Sequence, residues 1–301
     1  MPADPVVNDQ APTPAGPATR PPWDVPFWLR SAGLRPSRAL GQHFLADANT
    51  ARRIVRLAAL TPGERVLEIG PGLGALTRAL VEAGAQVRAL EADRHLLPVL
   101  AQTVAPLGVE VVLGDACQVD WTTLAPPPGP WAVVANLPYN VAVPIVMGLL
   151  ETAPQVTRLV VMVQREVADR LVAGPGSKAY GAVSVLVAYR ARARRLGAVP
   201  ATVFVPRPKV ASALVALERR EQPALDLPGP LEARLVTLVR AGFGHRRKTL
   251  RQALAGLVPE DGFLAAGVDP RARAETLDLE AWGRLARWSP VPAGLAPEGV
   301  P

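Results

Sequence analysis

An α/β fold built on a mostly parallel sheet is the class this sequence predicts, and three observations predict it. The runs at 65–70, 109–113, 131–135 and 157–164 are near-continuously apolar and rich in β-branched residues, the pattern of strands buried on both faces. Stretches with apolar residues at three and four spacing, such as 48–60 and 75–83, alternate with them. The strand Arg65-Val-Leu-Glu-Ile-Gly70 runs through Pro71-Gly72-Leu73-Gly74 into a helix, a unit whose glycines let the backbone turn sharply and approach a ligand.

Composition sets the wider limits. A chain of 301 residues, 49% hydrophobic and 20% charged, can bury a full core and has room for one large domain and a small one. Apolar runs such as 159–163 and 182–189 stop well short of the roughly 20 residues of a membrane span. The N-terminus carries acids and prolines instead of a basic, then apolar, leader, so no membrane association is expected and the cytoplasm is the expected compartment. Cys117 is the only cysteine, and His43, His95 and His245 are far apart, so no metal site is expected. The net charge of +7 favours a polyanionic partner, nucleic acid foremost. Biased genome composition is the competing explanation for the arginine content, so the placement of the basic residues weighs more than their number.

Residues 1–22, rich in Pro and Ala, cannot bury enough apolar surface to offset ordering and read as a disordered tail. A catalytic domain then fits 23–220. It begins with an aromatic, basic stretch holding a short helix at 27–30, followed by Gly41-Gln42-His43-Phe44-Leu45. The helix at 48–60 ends at Pro62-Gly63.

After the glycine loop, the strand 86–90 ends in Glu91, 21 residues beyond Gly70, where a carboxylate accepts from both hydroxyls of a ribose. The next strand, 109–113, ends in Gly114-Asp115-Ala116, and Asp115 can accept from an adenine amine. Spacing of the glycines at 70, 72 and 74 departs from the dinucleotide fingerprint, and Glu68 would repel a diphosphate while welcoming a cationic amino-acid end. Glu68, Glu91 and Asp115 match the parts of S-adenosylmethionine. The plain alternative is that all three cap strand ends.

Asn136-Leu137-Pro138-Tyr139 closes the buried strand 131–135. An amide acceptor, turn carbonyls and an aromatic plate suit a planar ring bearing an amino group, such as an extruded nucleobase. A strand ending in an Asn-Pro turn under a Tyr is the bland alternative. Beyond it come a strand at 157–164, a helix at 165–173, a flexible loop at 174–181, a sixth strand at 182–189 and a seventh at 211–217 as an antiparallel edge. Arg192, Arg194 and Arg195, with Arg207, Lys209, Arg246, Arg247 and Lys248, form the candidate phosphate track, a solvated charged face being the alternative. Helical spacing at 231–243, 249–257, 262–266 and 279–288 predicts a small all-helical domain over 221–290, which has no catalytic constellation and is assigned to docking on folded RNA, before a Pro- and Gly-rich tail at 291–301.

Five blocks carry a family resemblance: Gly41-Gln-His-Phe-Leu45, Val66-Leu-Glu-Ile-Gly-Pro-Gly-Leu-Gly74, Gly114-Asp-Ala116, Asn136-Leu-Pro-Tyr-Asn140 and Phe204-Val-Pro-Arg-Pro-Lys-Val-Ala-Ser-Ala213. With Phe243-Gly-His-Arg-Arg-Lys-Thr-Leu250 they resemble the ribosomal RNA adenine dimethyltransferases. The resemblance implies a class I S-adenosylmethionine-dependent methyltransferase fold, Rossmann-like with seven strands, and a helical C-terminal domain. It implies S-adenosylmethionine as donor, S-adenosylhomocysteine as product, and two adjacent adenines near the 3′ end of small-subunit ribosomal RNA as substrate, each methylated twice at N6. Cofactor contacts would fall on His43, Leu45, Gly70, Glu91, Asp115 and Asn136, beside Glu68, Gly72, Gly74 and Ala116 of the same motifs. The family commonly has Asn where His43 stands. Catalysis is expected from Asn136, Leu137 and Pro138, with Tyr139 on one face of the adenine and Phe204 over the other. The small ribosomal subunit precursor is the expected partner and a monomer the expected state. An erythromycin-resistance type enzyme acting on large-subunit RNA, or a non-catalytic assembly factor on the same fold, are the alternatives.

Overall fold

The computed structural model describes residues 20–288. Most of the predicted tail at 1–22 and all of that at 291–301 therefore lie outside the described residues. Residues 20–22 do not belong to a loose tail: Arg20 pairs with Asp24 at 3.0 Å, and the Pro21 carbonyl accepts from Trp28 Nε1 at 3.0 Å.

Helix α1 (Val25–Ser31) starts at Asp24, whose side chain accepts from Phe27 N, and buries Val25 and Trp28. Strand β1 (Phe44–Leu45) leads into α2 (Ala48–Ala58), capped by Asp47 accepting from Thr50 N at 2.6 Å. The alternating core follows: β2 (Arg65–Ile69), α3 (Ala75–Glu82), β3 (Gln86–Glu91), α4 (Leu97–Thr103), β4 (Glu110–Leu113), α5 (Trp121–Leu124), β5 (Trp131–Asn136), α6 (Ala142–Thr152), β6 (Val156–Gln164) and α7 (Arg165–Val172). Then come α8 (Ala182–Arg190), β7 (Ala191–Val199), β8 (Phe204–Val205) and β9 (Ser212–Arg219).

Seven strands form one sheet in the order β4-β3-β2-β5-β6-β9-β7, parallel from β4 to β6, with β9 antiparallel to both β6 and β7. The order reverses between β2 and β5, and a crevice opens at the carboxyl ends of strands at such a point. Ala132, Val133, Val134 and Ala135 of β5 are all but fully buried, as the unbroken apolar run requires of a central strand. Arg219 fastens β9 to the end of α6, donating to the carbonyls of Leu149, Leu150, Ala153 and Val156.

Two expectations fail here. Residues 182–189, read as a strand, form helix α8. Val187 packs in the sheet core, whereas Val185, Leu186 and Tyr189 pack against the C-terminal helices. A helix buried on all sides has no polar stripe, so periodicity cannot separate it from a strand. Its start is held by Ser184, whose Oγ accepts from Gly181 N and donates to the Arg170 carbonyl. The sixth strand is instead β7, and it supplies the sheet edge in place of 211–217, since β9 lies between β6 and β7. The loop at 174–181 is also anchored: Tyr180 is buried and its OH donates to the Leu277 carbonyl at 2.8 Å.

The described residues end in α9 (Gly229–Gly244), α10 (Leu250–Ala253), α11 (Glu260–Ala265) and α12 (Leu279–Arg287), around a second apolar cluster that one side of α8 shares. Trp282 packs so closely on α9 that a Cβ at Gly242 would lie 2.5 Å from its ring. Among the described residues no helix is long and apolar enough to cross a membrane.

Candidate active site

A cavity of about 430 Å³ opens at the carboxyl ends of β2, β3 and β5, walled on one side by residues 40–45. Its size suits a small ligand. His43, Leu45, Glu68, Gly70, Gly72, Glu91, Asp115, Ala116, Asn136, Leu137, Pro138 and Tyr139 all line it, so segments nearly a hundred residues apart in sequence share one space.

The glycine loop shapes the floor. Gly70 and Gly72 have φ of 71° and 62°, a left-handed conformation that lets main-chain atoms face the cavity. The Gly72 N–H donates to Glu91 Oε2 at 3.2 Å, and Asp93 N donates to Oε1 at 2.9 Å, so Glu91 is held with a further lone pair on each oxygen for incoming hydroxyls. Burial raises the Glu91 carboxyl above its ordinary value. Glu68 is 1% exposed and its Oε2 has no hydrogen-bond partner; burial pushes its carboxyl up to about 8. Asp115 accepts from Cys117 N at 2.9 Å and Gln118 Nε2 at 3.0 Å at the exposed end of the same cavity.

At the opposite end, Asn136 Nδ2 donates to the His43 carbonyl at 3.2 Å. A carbonyl can only accept, so the amide is fixed with Oδ1 left as a free acceptor. The Leu137 carbonyl accepts no hydrogen bond among the described residues, whereas that of Pro138 accepts from Val141 N at 3.2 Å. Tyr139 is tethered through its OH to the fully buried Ser212, 2.6 Å away.

Two predicted site residues stand elsewhere. Gly74 is the N-cap of α3, with φ 91° and Val104 only 2.3 Å from where a Cβ would sit, and it does not line the cavity. Its glycine serves helix packing. Phe204 is 2% exposed inside the core beside Leu45, on β8 antiparallel to β1, so it offers no face to the cavity. Reading the sequence missed Ser212 and also Gln42, which accepts from Ser37 N at 2.7 Å and donates to Asp93 at 2.7 Å, latching the N-terminal arm to the end of β3. Both had a signal, since each lies within a recognised block, Gln42 in that of 41–45 and Ser212 in that of 204–213.

The basic residues divide. Arg194, Arg195 and Arg246 lie 3.8, 2.9 and 3.2 Å from Glu218, Asp169 and Glu275. Arg192, Arg207, Lys209, Arg247 and Lys248 are exposed and have no ion-pair partner among the described residues.

The family model for ribosomal RNA adenine dimethylase matches residues 34–289. The chain belongs to that family. Ribosomal RNA small subunit methyltransferase A of Kineococcus radiotolerans is 49% identical over 280 residues, covering 89% of this chain and 91% of that protein. Its counterpart from Cutibacterium acnes is 50% identical over 268 residues, 85% and 88% of the two chains. Among solved structures, the 23S rRNA methyltransferase ErmE has a TM-score of 0.63 at 31% identity, over 81% of this chain and 98% of that one. A dimethyladenosine transferase from Plasmodium falciparum shares the fold, with a TM-score of 0.68 at 24% identity over 81% and 96%.

The dimethylase is thus a methyltransferase of class I fold, its donor is S-adenosylmethionine and its substrate class is ribosomal RNA. The cavity itself fits that donor: Glu68 carries a buried, unpartnered oxygen suited to a cation, Glu91 is pre-set for a ribose, and the loop glycines leave room for a close approach.

Proposed function

We propose that this enzyme dimethylates N6 of two adjacent adenines in the 3′-terminal hairpin of small-subunit ribosomal RNA, acting as a cytoplasmic monomer on the subunit precursor. The observation that carries the reading is the fixed Asn136 amide, whose Oδ1 is left as an acceptor at the end of β5, one residue before the free Leu137 carbonyl. S-adenosylmethionine supplies a methyl group on a sulfonium and leaves as S-adenosylhomocysteine.

The N6 lone pair of adenine is delocalised into its ring and attacks poorly. Asn136 Oδ1 and the Leu137 carbonyl accept the two N6 hydrogens in the first transfer, one of them the remaining hydrogen in the second, and aim the lone pair; the proton released by each transfer passes to water, so the protein contributes orientation and electrostatics without a strong base. Tyr139 stacks on the extruded base, held in place by Ser212. Asn136, Leu137 and Tyr139 are the catalytic set; His43, Leu45, Glu68, Gly70, Gly72, Glu91, Asp115 and Ala116 form the donor pocket. The helical C-terminal region docks on folded RNA, with Arg192, Arg207, Lys209, Arg247 and Lys248 contacting phosphates.

Relatives named as small-subunit enzymes at 49% and 50% identity support that target over the large subunit suggested by the likeness to ErmE. Labelled donor incubated with each ribosomal subunit from an unmodified strain tests it. Dimethyladenosine in small-subunit RNA is expected, and label confined to large-subunit RNA would reverse the assignment.

A further inference from the structure

Three contacts of His43 converge on the side of the cavity where the base is methylated. Its main-chain carbonyl accepts from Asn136 Nδ2. Its Nδ1 lies 2.7 Å from the Pro206 carbonyl oxygen, an atom that only accepts, so Nδ1 carries the proton. Its ring centroid is 5.2 Å from that of Tyr139, with the planes inclined at 31°. The pairing of Phe44 with Val205 holds the two chain segments side by side, which places Pro206 within reach.

We propose that His43 is a positioning residue for the acceptor base and not only a wall of the donor pocket. The inference rests on the dimethylation reading above. The His43 ring packs beside the Tyr139 ring, and its bond to Pro206 stops the imidazole from turning away. Such a tilted ring contact stabilises the pair, and rigid support of the stacking plate keeps the N6 nitrogen aimed when the base arrives. An asparagine at this position keeps a donor for Pro206 but has no ring to brace Tyr139.

The test compares His43→Asn, which keeps a donor and loses the ring, with His43→Phe, which keeps the ring and loses the donor. Steady-state methylation of small subunits gives kcat and the KM for RNA, and calorimetry gives the donor Kd. In the Asn variant kcat at saturating donor is expected to fall about tenfold with RNA KM within about twofold of wild type, a loss larger than any weakening of donor Kd that follows from the place of His43 in the donor pocket. The Phe variant is expected to retain most of kcat. If the Asn variant does not fold, His43→Leu, which lacks both functions, is expected to show the same loss confined to kcat. A weakened donor Kd with unchanged kcat at saturating donor, or wild-type constants in every variant, overturns the inference. Wild-type enzyme that leaves small-subunit adenines unlabelled would instead remove the dimethylation reading on which it stands.

Discussion

Glu68 and Glu91 reach one cavity from neighbouring parallel strands, yet only Glu91 has its oxygens satisfied. Glu91 accepts from two main-chain N–H groups, whereas Glu68 Oε2 is buried without a partner. Burial, with the charge of Glu91 adding to it, lifts the Glu68 carboxyl from 4.5 to about 8 against the opposing effect of Thr77. Between those values the folded chain holds a proton that the unfolded chain has lost, so stability from this group falls as pH rises. Glu68→Gln is expected to have a higher Tm than wild type at pH 8 and an equal one below pH 4.5; each ~1 kcal/mol recovered appears as about 2–4 °C. A cationic donor favours the ionised form, so its binding at neutral pH should release protons. Binding enthalpies measured in buffers of different ionisation enthalpy check this, and no buffer dependence in the wild type would contradict it.

Asn136→Ala removes the aimed acceptor while leaving Glu91 and the glycine loop in place. A loss of kcat on the order of 10² to 10³ is expected, with donor Kd changed only a few-fold. Wild-type turnover in this variant would refute the orientation mechanism.

Tyr139→Phe keeps the ring and loses only the bond to Ser212, so kcat/KM for RNA should stay within several-fold. Tyr139→Ala loses the stack, worth about 1–3 kcal/mol, and a drop of roughly 10- to 100-fold is expected. Equal losses in both variants would mean that the hydroxyl, not the ring, matters.

Gly72 and Gly74 should separate under substitution by alanine. At Gly74 the added methyl meets Val104 at a position away from the cavity, so a loss of about 1–3 kcal/mol in stability is expected with donor Kd preserved. At Gly72 the methyl meets Phe44 at 3.0 Å, and the loop donates to Glu91, so donor Kd should weaken as well. Thermal unfolding and calorimetry of both variants decide the matter.

Arg207 and Lys209 are free of ion pairs among the described residues, whereas Arg195 is held by Asp169. Neutralising the first two is expected to flatten the salt dependence of RNA binding by about one unit of slope per contact, and Arg195→Ala to change it less. A larger change at Arg195 would restore β7 as the main phosphate track.

Much of the cavity lining was legible because its parts are local: glycines where the chain must take positive φ, and acids or an amide at the ends of apolar runs. Twelve of the residues named from those strings line one cavity. The roles proposed for Glu68, Glu91, Asp115 and Asn136 rest on chemistry that each short segment carries, whereas His43 and Leu45 were named through the family resemblance.

Other features depend on what lies across space. Residues 182–190 are helical because two separate cores cover all their sides, which leaves no periodicity to read. Phe204 turned inward because β8 pairs with β1, a contact 159 positions away in the chain that no local pattern encodes. Gly74 looked like its neighbours in the loop and was set apart by Val104. The sequence alone determined which chemical groups gather at the strand ends, since propensity and hydrogen-bonding capacity are properties of short segments. Tertiary packing decided which of them face the cavity and how Asn136, His43 and Tyr139 orient one another, since direction is set by long-range neighbours.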